Sequence, residues 1–288
     1  MSAPADDLLQ ILILEQIERN LFRGRNEDRM GGRLFGGQVV AQALRAAWHT
    51  VDGRVAHSLH GYFLRPGSAG RPVLYDVERI RDGSSFTTRR VVAIQKGEAI
   101  CNVDISFQVE EAGLSHGAAM PNVPLPETLE DDVAYARRHA DDDPHMSPWA
   151  RRERPFESRS VYRAGTPRPP HERAWNPVWL RFKAPVPPED KALASCLLAY
   201  ASDMGLVSTA VIAHMGEAPR RRLHLASLDH ALWIHRAPAL DDWILFVKRT
   251  TTATGGRGMN HAELFDRGGQ LLASVSQEGL LRLTEGRA

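Results

Sequence analysis

The chain has 288 residues, of which 43% are hydrophobic and 25% charged, and its formal net charge is +1. This composition is typical of a soluble globular protein with one large or two ordinary domains, and the near-neutral charge gives no reason to expect nucleic acid as a partner. Two cysteines, Cys101 and Cys196, are too few for a disulfide framework or a four-thiolate zinc site.

The beginning of the chain predicts no signal peptide, because Asp6 and Asp7 accompany an apolar run that is short. We therefore expect a cytoplasmic, reducing compartment. A short helical pattern follows over residues 8–22 and ends at Arg23-Gly24.

A glycine-rich segment then leads into a helix predicted over residues 37–51, where apolar residues recur at helical spacing. Gly36 and Gly37 lie at the start of this helix and could present backbone N–H groups to an anion or a carbonyl oxygen. The alternative is a tight turn that permits close packing. The segment contains neither of the common nucleotide-binding fingerprints.

Strand patterns dominate the next fifty residues, and turn dipeptides at Pro66-Gly67, Asp82-Gly83 and Lys96-Gly97 separate them. The predicted strands are 57–65, 73–80, 86–95 and 99–110. They indicate a helix followed by antiparallel strands joined by tight turns. His57 and His60 lie on the first strand, where two histidines are more often structural than catalytic.

The pattern fades after residue 112, and residues 113–154 are predicted to be a linker with a short helix near 131–139. Strands are predicted over 156–164 and 178–183, around a loop rich in arginine and proline. These arginines could meet a polyphosphate or simply be solvated; they are Arg151, Arg152, Arg154, Arg159, Arg163, Arg168 and Arg173.

The most apolar stretch runs over residues 188–214 and predicts a helix wrapped by other structure. Pro188, Glu189 and Asp190 suit a helix N-terminus. Asp203 is the only charged residue between 192 and 213, and with several hydroxyls and a glycine nearby it argues against a membrane span. A carboxylate on a wrapped helix needs a partner; the alternative is that Asp203 caps a helix or pairs with an arginine.

The chain contains an internal repeat. A second strand set is predicted over 223–236, 243–251, 259–265 and 271–283. Gly255 and Gly269 reproduce the spacing of Gly83 and Gly97, and an apolar helix precedes each set. The predicted architecture is therefore an α+β tandem duplication, with a long central helix wrapped by an antiparallel sheet in each copy. The copies are residues 1–112 and 155–288, and residues 113–154 link them.

The last strands of the two copies differ at one place. The glycine register aligns Ile105 with Gln277, so the second copy has an amide on a face that is otherwise apolar. We also expect the first copy to have glycines, around Gly36-Gly37, near the place where the second has Asp203. Two polar groups on apolar surfaces can satisfy each other or a water molecule, which favours a functional role for Asp203 and Gln277.

Several segments together resemble the acyl-CoA thioesterases of the thioesterase II (TesB-like) family, which have a double hotdog fold. The resemblance covers nearly the whole chain outside the linker. Its segments are Leu14-Glu-Gln-Ile-Glu, Leu21-Phe-Arg-Gly24, Phe35-Gly-Gly-Gln-Val-Val-Ala-Gln-Ala43, Gly61-Tyr-Phe-Leu-Arg-Pro-Gly67, Tyr75-Asp-Val-Glu, Arg81-Asp-Gly-Ser-Ser-Phe86, Ala201-Ser-Asp203, Ser227-Leu-Asp-His230 with Trp233, and Gln277-Glu-Gly279.

The resemblance implies hydrolysis of acyl-CoA to a free fatty acid and CoA by an activated water molecule. It implies that Asp203 is the base and that Ser227 and Gln277 position the water, with serine where the family usually has threonine. Gly36, Gly37 and the strand around His57 are expected to shape the substrate channel. No metal or other cofactor is expected, and the assembly is expected to be a homodimer or homotetramer.

Two other functions stay open at this point. A hydratase or dehydratase on the same fold is the first, and we expect it to place a histidine beside the carboxylate, which these positions do not predict. The second is a non-catalytic module that binds acyl-CoA without turnover. The sequence has no G-x-S-x-G and no H-E-x-x-H motif, which argues against a serine or zinc hydrolase.

Overall fold

A computed structural model describes residues 4–28, 31–139, 148–163, 174–214 and 223–283. Over these residues the chain forms five α-helices, and the central helices of the two copies are the longest. The helices are α1 (Pro4–Ile11), α2 (Gly36–Trp48), α3 (Asp132–Arg138), α4 (Lys191–Ser202) and α5 (Thr209–Ile212).

Thirteen strands, counted over the described residues, belong to one sheet that runs through both copies. The strands of the first copy are β1 (Glu15–Glu18), β2 (Leu21–Gly24), β3 (Val55–Phe63), β4 (Val73–Asp82), β5 (Phe86–Gln95) and β6 (Glu98–Gln108). Those of the second copy are β7 (Phe156–Ser160), β8 (Trp175–Phe182), β9 (Leu223–Ser227), β10 (Asp229–Ile234), β11 (Ile244–Thr254), β12 (Arg257–Asp266) and β13 (Leu271–Leu283).

The strand order is β1-β2-β4-β5-β6-β3-β10-β13-β12-β11-β8-β7, with β9 also paired to β13. All of the pairs are antiparallel. The copies join through β3 and β10, where Leu59 lies opposite Leu232. The predicted α+β class, with a helix against an antiparallel sheet in each copy, is confirmed.

The helices α2 and α4 pack against each other in opposite directions. A Cβ atom on Gly37, near the start of α2, would lie 2.5 Å from the carbonyl oxygen of Tyr200, near the end of α4. At the other ends, Arg45 lies 4.0 Å from Asp190. Glycine at position 37 therefore permits the two backbones to meet, because any side chain there would collide with α4.

The long helix predicted over residues 188–214 is interrupted. It begins at Lys191 after an Asp190 cap, not at Pro188, and it ends at Ser202. Asp203 is the C-cap, Gly205 has a φ of +67°, and a separate helical turn, α5, follows. A left-handed residue ends a helix because it turns the backbone away from the helical path. The carboxylate therefore lies at a chain reversal instead of in mid-helix.

The segment predicted as one strand over residues 223–236 is divided at Leu228 into β9 and β10. Both parts pair with β13, through Ser227 opposite Gly279 and Ala231 opposite Ser276. Across the break, the N–H of Leu228 still donates to Glu278 O. The irregularity changes the alternation of side chains, so a single strand was the wrong prediction here.

The segment predicted as a linker packs on the outer face of the second copy's sheet. Trp179 donates through Nε1 to Pro124 O at 2.9 Å, and Arg159 donates to the carbonyl oxygens of Pro126 and Leu129. A small apolar cluster fills the space between them, formed by Trp179, Trp243, Leu245, Val247 and Phe265 with Met120, Val123 and Leu129. The short helix predicted near 131–139 is present as α3, with Asp131 as its N-cap.

Candidate active site

Asp203 lies where the end of α4 meets the start of α2. Its side chain is buried, with only 5% of the residue exposed. The backbone N–H of Gly37 donates to the carboxylate, and the positive end of the α2 dipole favours a negative charge there. The first copy's helix thus supports a carboxylate that the second copy supplies.

Burial raises the pKa of Asp203 to about 6 from an ordinary value of 3.8. Hydrogen bonds from Gln277, from the Gly37 N–H and from Ser227 act in the opposite direction. The carboxylate is therefore ionised at neutral pH but is more basic than an exposed aspartate. A general base is most effective when its pKa lies near the working pH.

Gln277 holds Asp203 from β13. Its Nε2 donates to Asp203 Oδ1 at 2.7 Å and also lies 3.1 Å from Nδ1 of His230. An amide has two hydrogens on this nitrogen, so both are used. Gln277 is wholly buried, as the apolar face of β13 predicts. The pairing of Asp203 with Gln277 that we expected from the sequence is present.

His230 belongs to the same cluster, although only its motif and not its role was evident in the sequence. Its Nε2 lies 2.9 Å from the hydroxyl of Ser202, which also donates to Ala199 O. The Ser202 oxygen therefore accepts from Nε2–H, and Nδ1 accepts from Gln277. The motif Ser227-Leu-Asp-His230 is the signal in the sequence that could have drawn attention to this imidazole.

The expectation that no histidine lies beside the carboxylate is wrong, since His230 Nδ1 is 4.0 Å from Asp203 Oδ1. Both ring nitrogens are nevertheless occupied by Ser202 and Gln277. Burial lowers the pKa of His230 to about 4, so the ring is neutral at physiological pH. It orients Gln277 instead of offering a proton.

Ser227 lies at the end of β9, and its hydroxyl donates to the Asp203 carboxylate. Its strand partner is Gly279, where a Cβ atom would collide with the side chain of Val207. The turn after Asp203 therefore packs directly on this part of the sheet. The structure brings together Asp203, Ser227 and Gln277, as the resemblance implied.

Gly36 lies directly against the second carboxylate oxygen of Asp203. A Cβ atom at this position would lie 2.8 Å from Asp203 Oδ2 and 2.9 Å from the ring of Phe63. Because Oδ1 accepts from Gln277, Oδ2 is the oxygen that lies against Gly36. Gly36 and Gly37 are thus part of the cluster, and the tight-packing alternative holds for both, because a Cβ on either would collide with its neighbours.

His57 lies elsewhere on β3. Its Nε2 is 2.8 Å from Ser106 Oγ, and its ring contacts Phe86 edge-on. Phe63, which reaches Gly36, is six residues further along the same strand, roughly 20 Å at the usual rise. The structure does not bring His57 to Asp203.

Three of the arginines near the linker, Arg154, Arg159 and Arg163, bind protein groups. Arg159 pairs with Glu157 at 2.6 Å, and Arg163 pairs with Asp132 and lies over the ring of Tyr135. Arg168 and Arg173 lie outside the described residues. These contacts favour a structural role for Arg159 and Arg163.

Two further properties concern metals and membranes. In the ranges that the structure describes, no group of three or more histidine, cysteine or carboxylate residues could hold a metal ion. No helix among the described residues is long and apolar enough to cross a membrane. Cys101 and Cys196 are both free and buried.

The corresponding place in the first copy has different residues. His49 is the C-cap of α2, as Asp203 is of α4, and it stacks on Phe22. Likewise, Arg79 donates to Thr50 O as Lys248 donates to Met204 O. The expected match of Gly36-Gly37 with Asp203 between the copies is therefore wrong, because the glycines begin one helix and the aspartate follows the other.

The fold and these contacts define a class of protein: two helix-and-sheet copies with a buried carboxylate where their helices meet. Models of known families match both copies. Residues 26–108 match the acyl-CoA thioesterase N-terminal domain, and residues 151–280 match acyl-CoA thioesterase.

Individual relatives agree with the family models. Acyl-CoA thioesterase 2 of Haemophilus influenzae is 39% identical, with 99% of this chain and 100% of the relative covered. Human acyl-coenzyme A thioesterase 8 is 35% identical, with 97% and 92% covered. The crystal structure of the acyl-CoA thioesterase II TesB2 from Mycobacterium marinum is 40% identical, has a TM-score of 0.81, and covers 97% of this chain and 99% of its own.

The chain belongs to the acyl-CoA thioesterase family. Its fold is therefore the tandem hotdog that the sequence resemblance implied, and it is a thioester hydrolase by family.

Proposed function

We propose that the protein hydrolyses acyl-CoA to a free fatty acid and CoA, with Asp203 as the general base. The observation that carries this proposal is the pair formed by Asp203 Oδ1 and Gln277 Nε2 at 2.7 Å, in a buried site that raises the pKa of the carboxyl to about 6. The related thioesterases support the substrate class.

The reaction begins with a water molecule bound to Asp203 Oδ2, the carboxylate oxygen that Gln277 does not use. Oδ2 accepts a proton as the water oxygen attacks the thioester carbonyl carbon. The carbon–sulfur bond then breaks, the acyl group leaves as a carboxylic acid, and the CoA sulfur takes up the proton. Positioned proton transfer of this kind contributes roughly 10²–10⁴-fold to a rate.

The remaining residues of the cluster orient the base. Gln277 and Ser227 donate to the carboxylate, which fixes the direction of its free lone pairs. Such fixed geometry matters because the attacking water must be held close to the carbonyl carbon. Gly37 uses its N–H on the carboxylate, so it acts through the base, while Gly36 permits the close approach of Oδ2 because it has no Cβ.

A hydratase or dehydratase reaction is less well supported. It needs a group that can both hold and release a proton opposite the carboxylate. His230 is the neighbouring histidine, and both of its ring nitrogens are engaged with Ser202 and Gln277.

The test is a panel of acetyl-, octanoyl- and palmitoyl-CoA, with released CoA measured by a thiol reagent. The proposal expects turnover with at least one member and its loss in Asp203→Asn. Tight binding of acyl-CoA without release of thiol would instead identify a non-catalytic binding module. Hydration of an enoyl-CoA without thiol release would identify a hydratase.

Assembly and compartment are part of the same proposal. We propose a homodimer or homotetramer in the cytoplasm, where acyl-CoA is the substrate and fatty acid metabolism the setting. Light scattering of the purified chain tests the first statement, since a monomer would contradict it. Cell fractionation tests the second.

The division into copies 1–112 and 155–288 is likewise proposed, and limited proteolysis within 113–154 tests it.

A further inference from the structure

A row of buried polar residues crosses the inner face of the second copy's sheet. On β13, Gln277 lies opposite Asn260 of β12. On its other side, Ala231 pairs with Ser276, so His230 of β10 is the next neighbour of Gln277. Asn260 and Gln277 are 0% exposed and His230 is 1% exposed. Three adjacent strands therefore place polar groups side by side in the core.

This row is incompletely hydrogen-bonded. Asn260 Oδ1, Asn260 Nδ2 and Gln277 Oε1 are buried and have no hydrogen-bond partner among the described residues. Directly opposed side chains on an antiparallel pair have Cβ atoms about 4.5–5.5 Å apart. Leaving a buried amide atom unpaired costs about 1–3 kcal/mol, so three such atoms in neighbouring side chains indicate a shared ligand.

The first copy shows what occupies this place when no ligand is needed. In the first copy, Ile105 occupies the position equivalent to Gln277. Arg89 lies opposite Ile105 and is therefore the equivalent of Asn260, which lies opposite Gln277. Arg89 is 1% exposed. Its guanidinium group donates to Thr50 Oγ1, Thr50 O, Arg81 O, Thr88 O and Asp82 Oδ1.

The side chain of asparagine is three heavy atoms shorter than that of arginine. Asn260 therefore reaches less far toward the chain reversal at Asp203 than Arg89 reaches toward the equivalent reversal in the first copy. Thr50 follows the C-cap of α2, as Met204 follows the C-cap of α4. Where Arg89 reaches Thr50 with its own donors, Asn260 does not reach the turn at Met204. The amide groups of Asn260 and Gln277 therefore lack the protein partners that Arg89 has in the first copy.

We propose that Asn260 and Gln277 Oε1 bind a buried water molecule that holds the Gln277 amide in the orientation that donates to Asp203. The water donates to Gln277 Oε1 and to Asn260 Oδ1 and accepts from Asn260 Nδ2. A buried water usually makes about three such bonds. This water is distinct from the nucleophile, which lies on Asp203 Oδ2. Asn260 is thus a positioning residue, and its role rests on the proposed hydrolytic function.

The site needs this support because Gln277 uses only one end of its amide on known partners. Both hydrogens of Nε2 go to Asp203 and His230, while Oε1 is left to the core. An unsatisfied carbonyl favours any movement that reaches a donor, and such movement would take Nε2 from Asp203. A water bound by Asn260 satisfies Oε1 in place.

The test compares Asn260→Leu with Asn260→Ser in the full chain, on the acyl-CoA with the highest turnover. Asn260→Leu should lower kcat on the order of 10-fold, the worth of about one hydrogen bond of 1.4 kcal/mol, with KM nearly unchanged. Asn260→Ser keeps a polar group and room for water, so it should stay within about three-fold of the wild type. If leucine does not fold, Asn260→Ala serves the same comparison.

The pH profile separates positioning from a structural role. The Gln277 hydrogen bond lowers the pKa of Asp203, so its loss in Asn260→Leu should move the acid limb of kcat/KM to higher pH. An asparagine that holds no water predicts a different pattern: leucine would remove unsatisfied polar atoms, raise the melting temperature and leave the profile unchanged. That second result would overturn the inference.

Two controls complete the experiment. Asn102→Leu removes another amide with a buried, unpaired Oδ1, but on β6 of the first copy, and should leave the profile unchanged. In a Gln277→Leu background, Asn260→Leu should have no further effect on kcat, because Asn260 acts through Gln277. A full additional loss there would overturn the inference. Wild-type protein without thioesterase activity would instead refute the proposed function itself.

Discussion

Gln277 donates to Asp203 across 2.7 Å, although 74 residues separate them in the chain. The contact joins the last strand to the end of α4, and the N–H of Gly37 reaches the same carboxylate from the first copy. The candidate site therefore requires both copies of the repeat: one supplies a helix N-terminus, and the other supplies the base and the groups that orient it.

Asp203→Asn is expected to lower kcat by about 10²–10⁴-fold, because the amide cannot accept the proton of the attacking water. The fold should be retained, since asparagine has the same shape. A stopped assay of thiol release measures the rate. Turnover near the wild-type value would show that another group is the base.

The same variant should be more stable at neutral pH. The folded-state pKa of Asp203 is about 6 against an ordinary 3.8, so the stability that its protonated form contributes is present below 3.8 and lost as pH rises through 6. Asp203→Asn should therefore unfold at a higher temperature at pH 7–8. Its free energy of unfolding should exceed that of the wild type by up to about 3 kcal/mol, and the difference should shrink toward pH 4. A less stable variant at pH 8 would contradict this.

The rate should titrate with Asp203. Below a pKa of about 6, kcat/KM is expected to fall about tenfold per pH unit as the base becomes protonated. Of the neighbouring groups, His230 has its pKa lowered to about 4 and Cys101 has its raised to about 12, both by burial. Lys248 beside Met204 has its pKa lowered to about 8. None of them titrates near 6, so a flat profile from pH 5 to 7 would exclude Asp203.

Much of the architecture could be predicted because the repeat is evident from local sequence patterns, namely the alternation of apolar residues and the residues at turns. Strand β5 and strand β13 have the predicted bounds, and the hairpin glycines at 97 and 269 have φ values of +77° and +87°. These features depend on alternation and turn chemistry within a few residues. They give the number and order of elements without knowledge of long-range contacts.

The site was only partly predictable because its details depend on contacts between distant segments. The partners of Asp203 come from Gly37, 166 residues earlier in the chain, and from Gln277, 74 residues later, which a run of helix-forming residues does not reveal. His230 was missed as a partner of Gln277 because the break at Leu228 changes which side chains face inward. Asn260 was missed because one polar residue in a strand is usual.

Ser227→Thr should keep the activity and Ser227→Ala should reduce it. Both hydroxyl residues can donate to Asp203, while alanine removes the donor and about one hydrogen bond, or roughly 3–10-fold in kcat. Threonine's added methyl also restricts the rotation of its hydroxyl. Equal rates in all three proteins would remove Ser227 from the mechanism.

Gly36→Ala tests the close approach of Asp203 Oδ2 to the start of α2. The new methyl carbon would lie 2.8 Å from Oδ2 and 2.9 Å from Phe63, so it would displace the carboxylate that we propose as the base. We expect kcat to fall on the order of 10²-fold, as for other misplacements of reacting groups. Gly70→Ala is the matched control, because a Cβ there has nothing within 4 Å. Equal activity in both variants would show that turnover does not depend on the position of Oδ2 against Gly36.

Each chain is expected to contain one hydrolytic site, which lies where Asp203 and Gln277 meet. Ile105 occupies the place of Gln277 in the first copy and is wholly buried, and His49 follows α2 where Asp203 follows α4. Isoleucine cannot donate to a carboxylate. Arg89, which lies opposite Ile105, uses its donors on Thr50 and other protein groups. The first copy therefore has the fold without the base.

Paired substitutions at the two equivalent strand positions distinguish these roles. Gln277→Ala should reduce turnover by on the order of 10²–10³-fold, similar to the loss of one preorganised donor, while Ile105→Ala should cost roughly 2–5 kcal/mol of stability and leave kcat of the folded protein nearly unchanged. Titration with a slowly hydrolysed acyl-CoA analogue should give one equivalent per chain. Two equivalents, or normal turnover in Gln277→Ala, would contradict a single site, since either result requires a base outside the Asp203 cluster.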